Sequence, residues 1–298
     1  MAVTYGPFAQ KIWEDAVLLP AYSSLIESLC SEIATFLDRP LEGTRELLEA
    51  AWNDRARQMA HDLPQHPDPA KLTHYYGQQT SGLLTSAYWH SLLPDRYALH
   101  SVSGLQCLNQ FGVGPDVFEF GHGIGSTAIL LARHGFDVTA GDISEPARAF
   151  AAQRFAKRKL PVKLLDLERE SPAAESFDAV VSFDVLEHLP NPVEQIAEMR
   201  TWLRPGGLLV LNIAFGRDAD NPEHILPYRL GVLNRVRGLG FQRLPWPGLY
   251  VFAKADLSRG KRQLFRSVDL IDATREDVVA RWPKLTQLLY AKINPPIA

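Results

Sequence analysis

Three glycines at alternate positions, Gly121, Gly123 and Gly125, follow the run Asp116-Val117-Phe118-Glu119-Phe120. A ligand that must lie directly on the main chain needs such a turn, because glycine reaches positive φ and carries no Cβ to hold the ligand off. The next stretch, Ser126 to Gly135, opens on hydroxyl residues suited to capping a helix and stops at a glycine. Strand, glycine turn and helix in that order make a nucleotide-type cofactor turn. Taken alone, Gly123-Ile124-Gly125-Ser126-Thr127-Ala128 also fits the G-x-G-x-x-A dinucleotide fingerprint. A second apolar stretch, Phe136 to Gly141, ends at Asp142, whose carboxylate can take both hydroxyls of a ribose in either kind of cofactor.

The segments further on separate the alternatives. Val162 to Asp166 reads as a third strand ending in an acid, and Phe177 to Ser182 as a fourth that runs through Phe183-Asp184-Val185 into a short helix at Leu186-Glu187-His188-Leu189. Leu203-Arg204-Pro205-Gly206-Gly207 reads as a helix end and turn ahead of the buried strand Leu208 to Ile213. With these five segments in order, the chain resembles a class I S-adenosylmethionine-dependent methyltransferase over roughly residues 105–255. The resemblance implies an α/β fold, Rossmann-like and doubly wound, with a mostly parallel seven-stranded sheet and a C-terminal antiparallel hairpin. It implies S-adenosyl-L-methionine as cofactor, S-adenosylhomocysteine as product, and methyl transfer to an O, N or C atom of a small molecule.

Site residues follow from the same resemblance. Gly121 and Gly123 approach the methionine moiety, with Gly125 completing the turn. Glu119 orients the turn or meets the methionine amino group. Asp142, with Ile143 beside it, binds the ribose; Asp166 and Leu167 flank the adenine; Phe183 and Asp184 close the crevice. His122 stands where the family more often has a small residue or Cys, and reads either as a cofactor neighbour or as a tolerated loop residue. A nicotinamide-dependent oxidoreductase would share the glycine turn and Asp142 but would not account for the Leu186-Glu187-His188 and Leu203-to-Gly207 segments. A catalytically silent binding module of the same fold is the other alternative.

A sulfonium methyl group is already activated, so the protein chiefly has to align a nucleophile with it and exclude water. On the acceptor side, Asn221 to Tyr228 resembles a P-x-H element of small-molecule methyltransferases, which makes His224 the candidate general base. The aromatic pairs Tyr75-Tyr76 and Tyr88-Trp89 are the candidates to line an apolar acceptor pocket. Glu187 and His188 read as structural, fixing the helix after the fourth strand. His74, His90 and His100 have no convincing ligand spacing, so no metal is expected.

Around this core the chain organises into three parts. Residues 1–104 carry apolar positions three and four apart, from Ile12 and Ala16 to Phe36 and Leu37, and predict a helical lobe serving as lid and substrate cover. Leu63 to Pro69 breaks that lobe with a loop. Residues 105–255 form the cofactor-binding core, closed by Phe241 to Leu244 and Leu249 to Lys254 as a hairpin, and 256–298 a tail packing on core or lobe. The 298 residues are 46% hydrophobic with a formal charge of −3, which offers no global attraction to nucleic acid or anionic membrane. Two cysteines, Cys30 and Cys107, argue against a disulfide framework, and no leader or membrane-spanning run stands out, so a cytoplasmic protein acting on a small molecule is expected. The assembly state is open, a homodimer included.

Overall fold

The computed structural model describes residues 7–62, 75–77, 80–92, 94–215, 229–244 and 246–254. Among the described residues, the helices before the sheet include α1 (Pro7–Val17), α2 (Leu25–Phe36), α3 (Thr44–Asp62), α4 (Thr80–Leu92) and α5 (Pro94–Gln110). Strands and helices then alternate: β1 (Asp116–Phe120), α6 (Ser126–Arg133), β2 (Asp137–Asp142), α7 (Glu145–Arg158), β3 (Lys163–Asp166), β4 (Phe177–Ser182), α8 (Pro192–Trp202) and β5 (Leu203–Leu211). After β5 come α9 (Arg229–Gly238), β6 (Phe241–Leu244) and β7 (Tyr250–Lys254).

The seven strands lie in the order β3-β2-β1-β4-β5-β7-β6. The first five are parallel, and β7 runs antiparallel to both β5 and β6. This is the expected Rossmann-like sheet with its terminal hairpin. The strand order reverses between β1 and β4, and at such a switch point the carboxyl ends of parallel strands open a crevice. Apolar residues on both faces of β1 and β4, such as Val117, Phe118, Val180 and Val181, are fully buried, as a sheet covered by helices on two sides requires.

Two features depart from the sequence reading. The segment Leu203 to Gly207 is not a helix end and turn. Helix α8 stops at Trp202, and β5 begins at once, Leu203 pairing with Phe177 before the register jumps and Ala179 meets Leu208. Pro205 has no N–H for the ladder and Gly206 sits at φ +79°, so the residues between bulge out of the pairing. The second departure is the lobe boundary drawn at residue 104, which falls inside α5. One buried cluster joins Trp13, Ala98, Val102 and Leu108 from the early helices to Ile129 of the helix after β1 and to Val117 and Val210 of the sheet. The first helices thus complete one face of the sheet.

A second cluster joins Leu29, Ile33, Leu48, Leu83 and Ala87 of α2, α3 and α4 to Ile124 of the glycine turn and Phe150 of α7. Polar groups reinforce this seam. Glu32 of α2 accepts from Arg158 at 2.5 and 3.0 Å and from Arg154 at 3.4 Å, all three side chains being essentially buried. Cys30 and Cys107 are buried and free, and burial pushes the Cys107 thiol up to about 12. Among the described residues, no helix is long and apolar enough to cross a membrane. The Leu63 to Pro69 loop and the 256–298 tail lie outside the described residues.

Candidate cofactor and acceptor site

The glycine turn adopts its shape for separable reasons. Gly121 is at φ +73°, and a Cβ there would stand 2.5 Å from Val185 Cγ2 on the loop after β4. Gly123 is at φ +51° with nothing within 4 Å of an added Cβ, so it leaves open space rather than avoiding a neighbour. Asp142 fixes the turn from the end of β2, its Oδ2 accepting from the Gly123 N–H at 2.8 Å and its Oδ1 from the Ser144 N–H at 2.8 Å. Each carboxylate oxygen keeps a further acceptor direction for a ligand. From behind, Arg154 Nη1 donates to the Ile124 carbonyl at 2.6 Å and to Ser126 Oγ at 2.8 Å. Ser126 Oγ also lies 3.0 Å from His90 Nδ1, so it does not cap its helix as its position suggested. His90 is fully buried, and burial with the neighbouring Arg154 charge holds it well below the usual histidine range.

Above the turn lies a cavity of about 450 Å³, in the range of roughly 300–1,000 Å³ typical of small-molecule sites. Its lining brings together Gly121, Gly123, Asp142, Ile143, Leu167 and Asp184 of the expected cofactor set with Tyr75 and Tyr76 of the expected acceptor set. An open turn at Gly123, a carboxylate with spare lone pairs and a mostly apolar wall suit a nucleoside-type ligand carrying a ribose. Val185, Leu83 and Leu189 supply the apolar surface, while Arg55 and Gln195 stand among the polar lining residues.

Five expected cofactor residues lie off that lining. Glu119 is buried beneath the turn, hydrogen-bonded to Thr127 and the Ala128 N–H at the start of α6, and burial pushes its carboxyl up to about 8. Its Oε2 has no hydrogen-bond partner among the described residues. His122 is buried, neither ring nitrogen has a hydrogen-bond partner among the described residues, and burial holds it below the usual histidine range. A Cβ on Gly125 would meet Phe155 at 2.7 Å, so this glycine serves the packing of α7 under the turn. Phe183 is buried against Gly104 of α5. Asp166 is taken by Arg148, whose Nη2 donates to its Oδ2 at 2.8 Å while Nη1 donates to the Asp142 carbonyl at 2.9 Å, stapling the ends of β2 and β3.

The acceptor side needs correcting too. Tyr88 and Trp89 do not line the cavity; both rings pack on Trp52, at 5.2 and 5.3 Å between centroids, and join α4 to α3. His224 lies outside the described residues. His188, read from the sequence as structural, lines the cavity with Tyr76, whose hydroxyl is 3.3 Å from His188 Nδ1. Asp184 holds the left-handed conformation at φ +53°, a placement uncommon outside functional sites and turns. The Asn212 side-chain amide donates to Asp184 Oδ1 and lies 3.0 Å from His100 Nδ1, and His100 is 3.7 Å from Asp184 Oδ2. Behind them Glu187 is fully buried and accepts from the Ala214 N–H at 3.1 Å; burial, then the Asp184 charge, push its carboxyl up to about 8. His188 and Arg55 carried a signal in the sequence only as chemically capable side chains, because the contacts that bring them to the cavity come from other elements.

With this geometry in view, residues 118–211 match the family described as a methyltransferase domain. A malonyl-[acyl-carrier protein] O-methyltransferase of Halalkalibacterium halodurans is 35% identical over 77 residues, 24% of this chain and 28% of the relative. A ubiquinone biosynthesis O-methyltransferase of Coxiella burnetii is 32% identical over 98 residues, 32% of this chain and 42% of the relative. The chain thus spans less than half the length of these curated relatives. Among solved structures, the PH0226 protein of Pyrococcus horikoshii is 19% identical, with a TM-score of 0.46, over 53% of this chain and 91% of the other.

Proposed function

We propose that this chain, in which residues 118–211 match a methyltransferase-domain family, is a class I S-adenosylmethionine-dependent methyltransferase that transfers a methyl group to a small-molecule acceptor held under its N-terminal helices. The observation that carries the reading is a single cavity with Gly121, Gly123 and Asp142 in its wall together with Tyr76 and His188. S-Adenosyl-L-methionine, when bound, supplies an activated sulfonium methyl group and leaves as S-adenosylhomocysteine. Gly121 and Gly123 admit it against the backbone, Asp142 accepts from its ribose hydroxyls, and Ile143 and Leu167 give its base an apolar seat.

Alignment and exclusion of water account for most of what such a protein must do. Tyr75, Tyr76 and Leu83 cover the cavity from the helical side. Tyr76 and His188 share a proton position at 3.3 Å, so His188 Nδ1 can receive the Tyr76 proton while the Tyr76 oxygen takes one from an acceptor hydroxyl. The curated relatives are named for transfer to oxygen, which supports an oxygen acceptor. In this reading residues 1–104 act as cover, 105–255 as the cofactor-binding core and 256–298 as a tail. The proposed setting of the protein is the cytoplasm, with a small molecule rather than nucleic acid or membrane as its partner. His224 is a second candidate base from the acceptor side.

The experiment is release of S-adenosylhomocysteine from S-adenosylmethionine with a panel of hydroxylated aromatic acceptors, comparing wild type with His188→Ala and Tyr76→Phe. Turnover by the wild type that falls roughly 10²- to 10⁴-fold in His188→Ala, with cofactor affinity kept, fits a proton-handling pair. Full activity in both variants would remove the pair from the reaction.

A further inference from the structure

Arg55 is the one permanently cationic side chain among the cavity's described lining residues. It is half-buried. Nη1 donates to the Trp52 carbonyl at 2.9 Å, and the guanidinium carbon sits 3.7 Å above the Trp52 ring. Arg148, Arg154, Arg158 and Arg204 each have a carboxylate within salt-bridge reach; Arg55 has none among the described residues. A guanidinium carries five N–H donors in a fixed fork. With Nη1 committed to Trp52, the Nε and Nη2 edge keeps the geometry that a planar carboxylate or a phosphate takes through two parallel bonds.

The platform under Arg55 is itself held in place. Trp52 stacks on Tyr88 at 5.2 Å and an interplanar angle of 17°, and packs on Trp89 at 5.3 Å. The aromatic group that does not line the cavity thus fixes the residue that holds the cation there. An arginine stacked on a fixed ring loses less freedom on binding than a free one, and a partly dehydrated site strengthens each charged hydrogen bond.

We infer that Arg55 is an anion-binding group of this cavity, taking a ligand carboxylate or phosphate in its fork while Trp52, Tyr88 and Trp89 hold it in position. The inference rests on the cavity being the methyltransferase site. Two sources could present the anion: the α-carboxylate of the adenosyl cofactor, or an acidic group on the acceptor.

Calorimetry on full-length wild type and Arg55→Gln separates the sources with three probes: S-adenosylhomocysteine, 5′-methylthioadenosine, which lacks the amino-acid end, and 4-hydroxybenzoate. If the cofactor supplies the anion, Arg55→Gln weakens S-adenosylhomocysteine about tenfold or more and leaves 5′-methylthioadenosine unchanged, because a charged pair of hydrogen bonds is lost from one ligand alone. If the acceptor supplies it, both nucleosides bind the variant as they bind the wild type, and 4-hydroxybenzoate binds only the wild type. Arg55→Lys, which keeps the charge and loses the fork, should fall between the two proteins in whichever arm responds. Affinities unchanged for all three probes, or equal losses for both nucleosides, overturn the assignment. The benzoate titration is also run without nucleoside. A wild type that binds neither nucleoside would bring down the methyltransferase reading, whereas a wild type that binds the nucleosides with all three affinities indifferent to Arg55→Gln would bring down this one.

Discussion

Replacing Glu32 by Gln would leave Arg154 and Arg158 buried against helix α2 with no carboxylate between them. In the native protein Glu32 is 1% exposed, and both arginines are fully buried at the side chain. Burial alone would raise its carboxyl; the Arg154 charge and the Arg158 hydrogen bond and charge more than offset it and hold the group below the usual range. Removing one partner of a buried, hydrogen-bonded ion pair typically costs about 3–5 kcal/mol. That is a large share of the roughly 5–15 kcal/mol by which domains are stable. A carboxyl whose folded value is depressed contributes stability above its unfolded value and loses it as pH falls through the folded one. The gap between wild type and Glu32→Gln should therefore be full at pH 7 and shrink as acid titrates the native carboxylate. Urea unfolding at pH 7 and in steps below pH 5 measures it. Because Arg154 donates to Ile124 in the cofactor turn and Arg158 donates to the Val17 carbonyl instead, a paired test adds a second readout. Arg154→Met should lose S-adenosylhomocysteine affinity by roughly 5- to 150-fold, from an orphaned turn carbonyl costing roughly 1–3 kcal/mol. Arg158→Met should lose stability with affinity kept. A Glu32→Gln variant within about 1 kcal/mol of wild type at pH 7 would refute the reasoning about uncompensated charge.

Other expectations follow from the same geometry. Asp142→Ala should bind S-adenosylhomocysteine at least about tenfold more weakly by calorimetry, since each hydrogen bond to a charged acceptor is worth roughly 1.5–3 kcal/mol; unchanged affinity in a folded variant would remove the ribose role. Glu119 and Glu187 have folded carboxyls raised to about 8, so the unfolded chain releases their protons first and stability should fall as pH rises from about 4.5 to 8. Glu119→Gln and Glu187→Gln should each flatten that fall in thermal-melt series, and a slope unaltered by either would contradict the burial argument. His224→Ala should lower turnover roughly 10²- to 10⁴-fold across pH 5 to 9 if His224 is the base; full activity would leave Tyr76 and His188 as the proton-handling pair.

What the sequence made legible is what local pattern controls. The strand from Asp116, the glycines at alternate positions and the acid closing the next strand all depend on near neighbours, and the structure places Gly121, Gly123 and Asp142 on one cavity wall. Asp166 looked equivalent to Asp142, and its pairing with Arg148 of the preceding helix α7 is something no strand-end pattern encodes. Tyr88 and Trp89 read as a pocket wall until Trp52 of another helix supplied their packing partner. The bulge after Trp202 comes from pairing with Phe177, far back in the chain. The lobe boundary read at residue 104 falls inside α5, which carries apolar residues on past it and buries Leu105 and Leu108 against the sheet layer. The Glu32 link to Arg154 spans 122 residues, a separation at which composition and periodicity carry no information.

The central claim is tested most directly by titrating the full-length protein with S-adenosylhomocysteine, S-adenosylmethionine and NAD in one calorimetric series. Saturable, one-to-one binding of both adenosyl ligands with no heat from NAD is the predicted result, because Asp142 and the open turn at Gly123 line one cavity with the Tyr76 and His188 pair. Saturable NAD binding with no response to either adenosyl ligand would contradict it.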